Sequence, residues 1–300
     1  MKWIALILMT IDHIASFGVN VIRPEIVLVM RLLGRLVFPL FCYQAVMSYR
    51  RTRTLSLYFF RLLLFGLLSQ LIVPLAGSPF EHYVFGNVIF TFCVGIMLLF
   101  GYDLVRAFFE TRKRAEGAKE GSPTPLPGTS SGTSSGEQTW SVDYRQRWYV
   151  TVKSITLPAE SALWFGMVSI LLALVLTFVI HPDFSYFGLA GFLLFHILDS
   201  VERPFYAISD KTTERRKIFH FTFGYVVLNI AWFWIRILFL DTDLQPALIQ
   251  LVSPLAVFLF PKLSKAKKSN AIGKYFFYIY YPIHLFLIIR LFLDLTPPAR

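Results

Sequence analysis

Cysteine is almost missing from this chain: there are two in 300 residues, Cys42 and Cys93, both inside hydrophobic runs. With no CxxC and no Cys/His spacing, they give no basis for a disulfide framework or a thiolate metal centre. Charge is scarce too, at 16% of residues, while 56% are hydrophobic and 17% aromatic. That balance excludes an ordinary soluble domain, which has to cover itself with polar side chains. Acid is the scarcer sign, with 18 Asp and Glu against 29 Lys and Arg. A net charge of +11 can signal nucleic-acid binding, so the placement of the basic residues decides what it means.

What is present is apolar sequence in long runs. They recur at about 3–22, 26–47, 57–75, 84–108, 162–180, 184–198, 219–240, 247–260 and 275–293, nine candidate membrane spans. The runs from 184 and 247 are short, so the count can differ by one. Lys and Arg gather near 50, in 110–153, in 203–217 and in 262–274, alternate connections that the positive-inside rule places in the cytoplasm. The basic excess is therefore a topology signal, and no nucleic-acid partner is expected. The sequence predicts an all-α, polytopic membrane helix bundle of about nine (eight to ten) spans, with the N-terminus cytoplasmic and the lipid bilayer as solvent. The first run carries Asp12-His13 in its middle with no small-residue cleavage site after it, so a cleavable signal is not expected.

Between Glu120 and Thr139, 16 of 20 residues are Gly, Ser, Thr or Pro, a composition that buries no core. The expected organisation is 1–109 with four spans and the candidate site, 110–160 as a cytoplasmic linker disordered at about 115–139, and 161–300 with five spans. Residues 140–158 are more aromatic and basic, suited to a short element on the membrane surface. Arg50-Arg51-x-Arg53 and Lys262-x-x-Lys265-x-Lys267-Lys268 read first as anchors facing anionic lipid. A second reading gives one of them the phosphates of a soluble cofactor.

Ionisable residues inside spans are expensive and mark function. Asp12 and His13 lie in the first run, His13 eleven residues after Lys2. At ~100° and ~1.5 Å per residue, Lys2 and His13 share a face about 16 Å apart. Arg31 and Arg35 lie four apart on one face of the second run, with Gly34 between them to admit a close neighbour. Arg31 lies near enough to the outer end to snorkel. Arg35 lies near the depth of His13 and needs an anion, for which Asp12 is the obvious candidate. Arg61 reads as a snorkelling residue, and Asn87 and Gln70 as polar groups needing partners. Near the other terminus, Tyr280-Tyr281-Pro282-Ile283-His284 places a second histidine at mid-depth behind a proline break. A lone histidine in an apolar helix is usually a satisfied structural group, but two of them with an Arg and an Asp point to a shared polar cavity. His196-x-x-Asp199 resembles a metal pair only weakly, so no metal is expected, and His196 and His220 read as structural or pH-sensitive groups.

These residues fall in an ordered series: Lys2-Trp-Ile-Ala and Met9-Thr-Ile-Asp12-His13, then Arg31-Leu-Leu-Gly34-Arg35-Leu-Val-Phe38-Pro39-Leu-Phe41. Thr52, Tyr58 and Arg61-Leu-Leu-Leu-Phe-Gly-Leu-Leu-Ser69-Gln70 follow, then Asn87-Val-Ile-Phe90-Thr91 and, much later, Tyr281-Pro282-Ile283-His284-Leu. The series resembles the TraX family of conjugative-pilin acetylases, well over residues 1 to about 100 and in patches beyond, including Asp183-Phe-Ser-Tyr-Phe-Gly188. The Ser/Gly/Pro-rich stretch departs from the pattern. That family in turn looks like a branch of the acyltransferase-3 group, whose first span carries Lys or Arg, ten residues and a His, the spacing of Lys2 and His13. The resemblance implies a bacterial inner-membrane protein that moves an acetyl group from cytoplasmic acetyl-CoA to an acceptor, with a pilin-like N-terminal amine as the family's acceptor.

Such chemistry needs a base for the nucleophile's proton and a positive field over the developing oxyanion. His13 is the candidate base, and Asp12 either orients it or pairs with Arg35. Arg35 is the candidate for polarising the carbonyl, and His284 for assisting from the opposite wall. Lys2, Arg31, Arg50, Arg51 and Arg61 are candidates for the coenzyme A phosphates, and Asn87 and Tyr281 for contact with the acceptor. Two other classes account for parts of the pattern: a secondary transporter or flippase built on buried Asp, His and Arg, and a non-catalytic scaffold of a pilus machine. Within the enzyme reading, a glycan hydroxyl is the alternative acceptor.

Overall fold

A computed structural model describes residues 2–76, 87–120, 149–202, 211–239, 244–260 and 271–295. Ten α-helices and one small hairpin follow in order: α1 Lys2–Phe17, α2 Pro24–Gly34, α3 Val37–Arg51, α4 Leu55–Leu75 and α5 Val88–Glu120 come first. After them come β1 Tyr149–Val152, β2 Ile155–Pro158, α6 Ala159–Ile180, α7 Ser185–Glu202, α8 Lys211–Phe239, α9 Leu244–Gln250, a 3-10 helix at Ser253–Leu259, and α10 Ala271–Leu295. Five helical segments among the described residues are long and apolar enough to cross a membrane: Pro24–Arg51, Leu55–Ile72, Val88–Arg114, Ala159–Ile180 and Arg215–Phe239. Four shorter apolar helices, Trp3–Phe17, Ser185–Val201, Ala247–Leu259 and Tyr278–Phe292, accompany them. This is the architecture of a multi-pass membrane protein.

Three departures from the sequence reading have local causes. The second run is two helices, broken between Gly34 and Val37. Pro39 has no N–H to give the Arg35 carbonyl, so a new helix must start there, and Leu36 N–H tightens back onto Leu33 O at 3.2 Å. The eighth run is likewise split, into α9 and the 3-10 helix, with Pro254 in the latter's first turn. The segment assigned to the linker is partly structured: α5 continues to Glu120, past the expected start of disorder, and residues 149–158 form an antiparallel hairpin with Val152 opposite Ile155. The bundle is thus helical with one β-hairpin attached. Residues 121–148, which hold most of the expected disordered stretch, and the Lys262 to Lys268 cluster lie outside the described residues.

The core gathers around α3, whose Phe38, Leu40, Cys42, Tyr43, Val46 and Tyr49 are buried. Tyr43 stacks on Phe260 with centroids 4.2 Å apart and meets Phe195 and Phe221 edge-on, the geometries that aromatic quadrupoles favour. On the periphery, α6 turns Trp164, Phe165 and Phe178 outward and grips α5 through small residues. A Cβ on Gly101 would stand 2.7 Å from Gly166 O, and one on Gly166 2.9 Å from Gly101 O. The two backbones touch there because neither residue has a side chain. Packing on this scale fixes the end of the bundle at which α1 finishes, and there the polar side chains collect.

Candidate functional site

A cavity of about 380 Å³ opens at that end. Its wall is assembled from Asp12 and His13 of α1, Arg31 of α2, Arg35 at the helix break, Ser69 and Gln70 of α4, and Asn87 before α5. Asp183 between α6 and α7, Trp232 and Arg236 of α8, Gln250 closing α9, and Tyr281 of α10 complete it. Three guanidiniums therefore face two carboxylates around one space.

The helix break sets the charges. A Cβ on Gly34 would overlap the Asp12 carboxylate, so glycine lets that side chain lie against α2. There Asp12 Oδ1 accepts from Arg31 Nη1 at 3.1 Å. The sequence reading offered Arg35 as the partner of Asp12, but the ion pair goes to Arg31. Arg35 sits at the joint where α2 stops, and its buried Nε has no hydrogen-bond partner. A guanidinium cannot shed its charge by deprotonation, so Arg35 stays charged in the cavity wall, with Asp12 and Asp183 in its field and its Nε–H unmet.

The two histidines found separately in the sequence meet here. His13 Nδ1 and His284 Nε2 lie 3.0 Å apart, and His284 Nδ1 lies 2.9 Å from Tyr280 O. Tyr280 stacks flat on the His284 ring, 4.9 Å between centroids and 11° between planes, while its hydroxyl reaches Thr10 Oγ1 at 2.7 Å. Tyr281 presents an edge to both imidazoles. The face of α1 that carries Thr10 and His13 is thereby fixed against α10. His284 is buried, whereas His13 is half-buried and lines the cavity.

The remaining candidates are placed as follows. Asn87 lines the cavity with both ends of its amide engaged. Its Oδ1 caps α5 by accepting from Ile89 N–H at 2.9 Å, and its Nδ2 donates to Gly66 O at 3.1 Å. Lys2 begins α1, but its side chain lies outside the described residues. Arg50, Arg51 and Arg61 are not brought to the cavity. Arg50 and Arg51 end α3, roughly 20 Å from the helix break by helical rise, and Arg61 Nε donates to Leu57 O of its own helix at 2.9 Å.

Arg50 instead belongs to a second polar cluster at the far end of α3. It pairs with Asp199 at 3.2 Å, side chains 8% and 3% exposed, and donates to His196 O and Ser200 Oγ. Asp199 also meets Lys217 Nζ at 3.5 Å. Asp103 accepts from Tyr49 OH at 2.8 Å and lies 2.7 Å from His196 Nε2. Lys153, at the tip of the hairpin in the left-handed region with φ 59°, donates to the last carbonyls of α3, Tyr49 O at 2.7 Å and Arg50 O at 3.0 Å, the position a helix dipole reserves for a cation.

Sequence reasoning missed Asp183, Arg236 and Gln250 as cavity residues. For Arg236 a signal existed: it follows Trp232 by one helical turn on one face. Asp183 lies between α6 and α7, exposed on the cavity side yet surrounded by protein. Burial first, and the Asp12 carboxylate second, push its carboxyl up to about 7, against the pull of a Val88 backbone hydrogen bond, Arg31 and Arg35. Gln250 is buried in a network with Asn229 and Ser253, and its address became visible only when the eighth run folded as two pieces.

In comparisons with known proteins, residues 1–111 match the family model described as TraX protein. The resemblance read from the ordered series is thereby borne out over that stretch. No curated protein and no solved structure matches the chain.

Proposed function

We propose, starting from the TraX-family match of residues 1–111, that this protein is a membrane-embedded acetyltransferase. It takes the acetyl group of acetyl-CoA and passes it to an acceptor presented at the cytoplasmic membrane of a bacterium, a pilin-like N-terminal amine by the resemblance. The nine apolar segments are read as nine spans with the N-terminus inside. The cavity then sits in the outer half of the bundle, with Arg51, Arg61 and Lys2 on the cytoplasmic side, where the phosphates of coenzyme A arrive. Kinship with the acyltransferase-3 group is part of the same proposal.

The observation that carries this reading is the contact of His13, in the cavity wall, with His284 behind it, beside an Arg35 whose Nε has no hydrogen-bond partner. Acyl transfer from a thioester asks for those two things, a neutral base and a positive field that meets charge only when it develops. His13 accepts the proton of the attacking amine, and Arg35 faces the carbonyl oxygen as it becomes an oxyanion. The amine nitrogen bonds to the acyl carbon, the C–S bond breaks, and the proton held by His13 leaves with the coenzyme A thiolate. An unperturbed α-amine titrates near pH 7.7–8.0, roughly within reach of a neutral imidazole.

The test is acceptor-dependent release of coenzyme A from acetyl-CoA by purified protein, wild type against His13→Ala. Loss of about 10³-fold in rate is expected. Near-normal release by His13→Ala would sink the mechanism, and binding of acetyl-CoA with no release for any acceptor would favour a transporter.

A further inference from the structure

We infer that His284 is a positioning residue that fixes the tautomer of His13, so that the Nε2 lone pair of His13 is the base. This rests on the acetyltransferase reading, but the geometry can be tested without it. The carbonyl of Tyr280 can only accept a hydrogen bond. His284 Nδ1, 2.9 Å away, must therefore carry its ring proton. In a neutral imidazole the other nitrogen is then an acceptor, so His284 Nε2 presents a lone pair to His13 Nδ1 at 3.0 Å. His13 Nδ1 is the donor in that contact, and the one remaining ring nitrogen, Nε2 of His13, has no proton.

Burial assigns the roles within the pair. His284 is 5% exposed and is held by Tyr280, which stacks on it from the same helix, and by the edge of Tyr281. It has no reach to a substrate. His13 lines the cavity. Thr10 Oγ1 on Tyr280 OH holds α1 and α10 in the register that sets the imidazole contact. The arrangement does what the carboxylate does in a serine-protease triad, orienting the base through its second nitrogen, but with a neutral partner. It therefore adds no negative charge to a cavity that already holds two carboxylates.

During transfer the acceptor's proton moves onto His13 Nε2 while Nδ1–H still donates to His284. When the C–S bond breaks, that proton goes to the sulfur and both rings return to their starting tautomers. Protonation of His284 Nε2 would reverse the chain, since His13 Nδ1 would then have to accept and its own proton would shift to Nε2. One proton on either ring is thus enough to disable the base.

Two measurements decide this. The first is ¹⁵N NMR of histidine-labelled protein in detergent near pH 8, with His13 assigned by His13→Asn. The Nδ1–H tautomer is expected for His13, and an Nε2–H tautomer overturns the proposal whatever the enzyme turns out to acetylate. The second is kinetic. His284→Ala should lower kcat by about 10²-fold, with KM for acetyl-CoA changed less than about twofold. His284→Gln, whose amide oxygen can accept from His13 Nδ1, should recover about tenfold of that loss and move the acidic limb of the pH profile, because Gln does not titrate. If both variants keep the wild-type unfolding midpoint yet Gln is no better than Ala, or if KM takes the whole effect, His284 is structural. Loss of all transfer in wild type with the expected tautomer present would instead count against the acetyltransferase reading.

Discussion

The two ends of α3 carry the same kinds of residue to opposite ends. At its C-terminus Arg50, Asp199, Lys217, Asp103, His196 and Tyr49 form a cluster in which each charge has an opposite charge or helix dipole beside it. At its N-terminus Arg35 is left without an ion pair among the described residues, two imidazoles face each other, and 380 Å³ of space lies between the groups. A histidine, an arginine and an aspartate at membrane depth therefore do not by themselves mark a site. What distinguishes the cavity is that Arg35 has no ion pair among the described residues, whereas Arg50 has Asp199 at 3.2 Å; a cation left so costs stability unless an anion arrives to meet it.

Three substitutions probe that contrast. The largest effect belongs to Arg35→Gln. Transfer should fall by 10² to 10³-fold, about the value of one oxyanion donor, while the unfolding midpoint stays level or rises, because a charge without an ion pair has been removed. A fall in stability matching the fall in rate would make the two ends alike after all. Next comes Arg50→Met, which takes the guanidinium away from Asp199. Its signature is in folding, a loss of about 3 kcal/mol by thermal or denaturant unfolding. If Arg50→Met leaves stability unchanged, the cluster does not stabilise the fold and the contrast with the cavity fails. The smallest effect is expected from Asp183→Asn. With a carboxyl that titrates at about 7, Asp183 is charged above that pH and neutral below it. Acidification thus removes one of the cavity's two negative charges, and anionic acetyl-CoA should bind more tightly to wild type between pH 8 and pH 6, by no more than about fivefold. Asp183→Asn should show that contribution at every pH, with a flatter profile across this range. Parallel pH profiles for the two proteins would remove Asp183 from the account.

Hydropathy made the long apolar helices legible because a stretch of about twenty apolar residues has few other uses. It was blind to the joint at 35–36, since a break in the helix does not lower hydrophobicity. Gly34 and Pro39 held that information, and read together they place it. The candidates Asp12, His13, Arg31, Arg35 and Tyr281 gather at one cavity, with His284 against His13, because charge at depth is scarce enough to stand out. Their partners were not legible. Residues 13 and 284 are far apart in the chain, and the preference of Asp12 for Arg31 depends on a missing Cβ at Gly34. Arg50 illustrates the converse: its sequence reads as a surface cation, and only the fold reveals Asp199 and Ser200 beside it.

The hairpin whose tip fastens α3 also has a practical consequence. Lys153 and Ser154 dock onto Tyr49, Arg50 and Arg53, and α5 is gripped by α6 through Gly101 and Gly166. The chain is therefore anchored on both sides of 121–148, and a reporter inserted there would pull against fastened ends. Such an insertion offers a way to read from outside the molecule which side of the bilayer this end of the bundle faces.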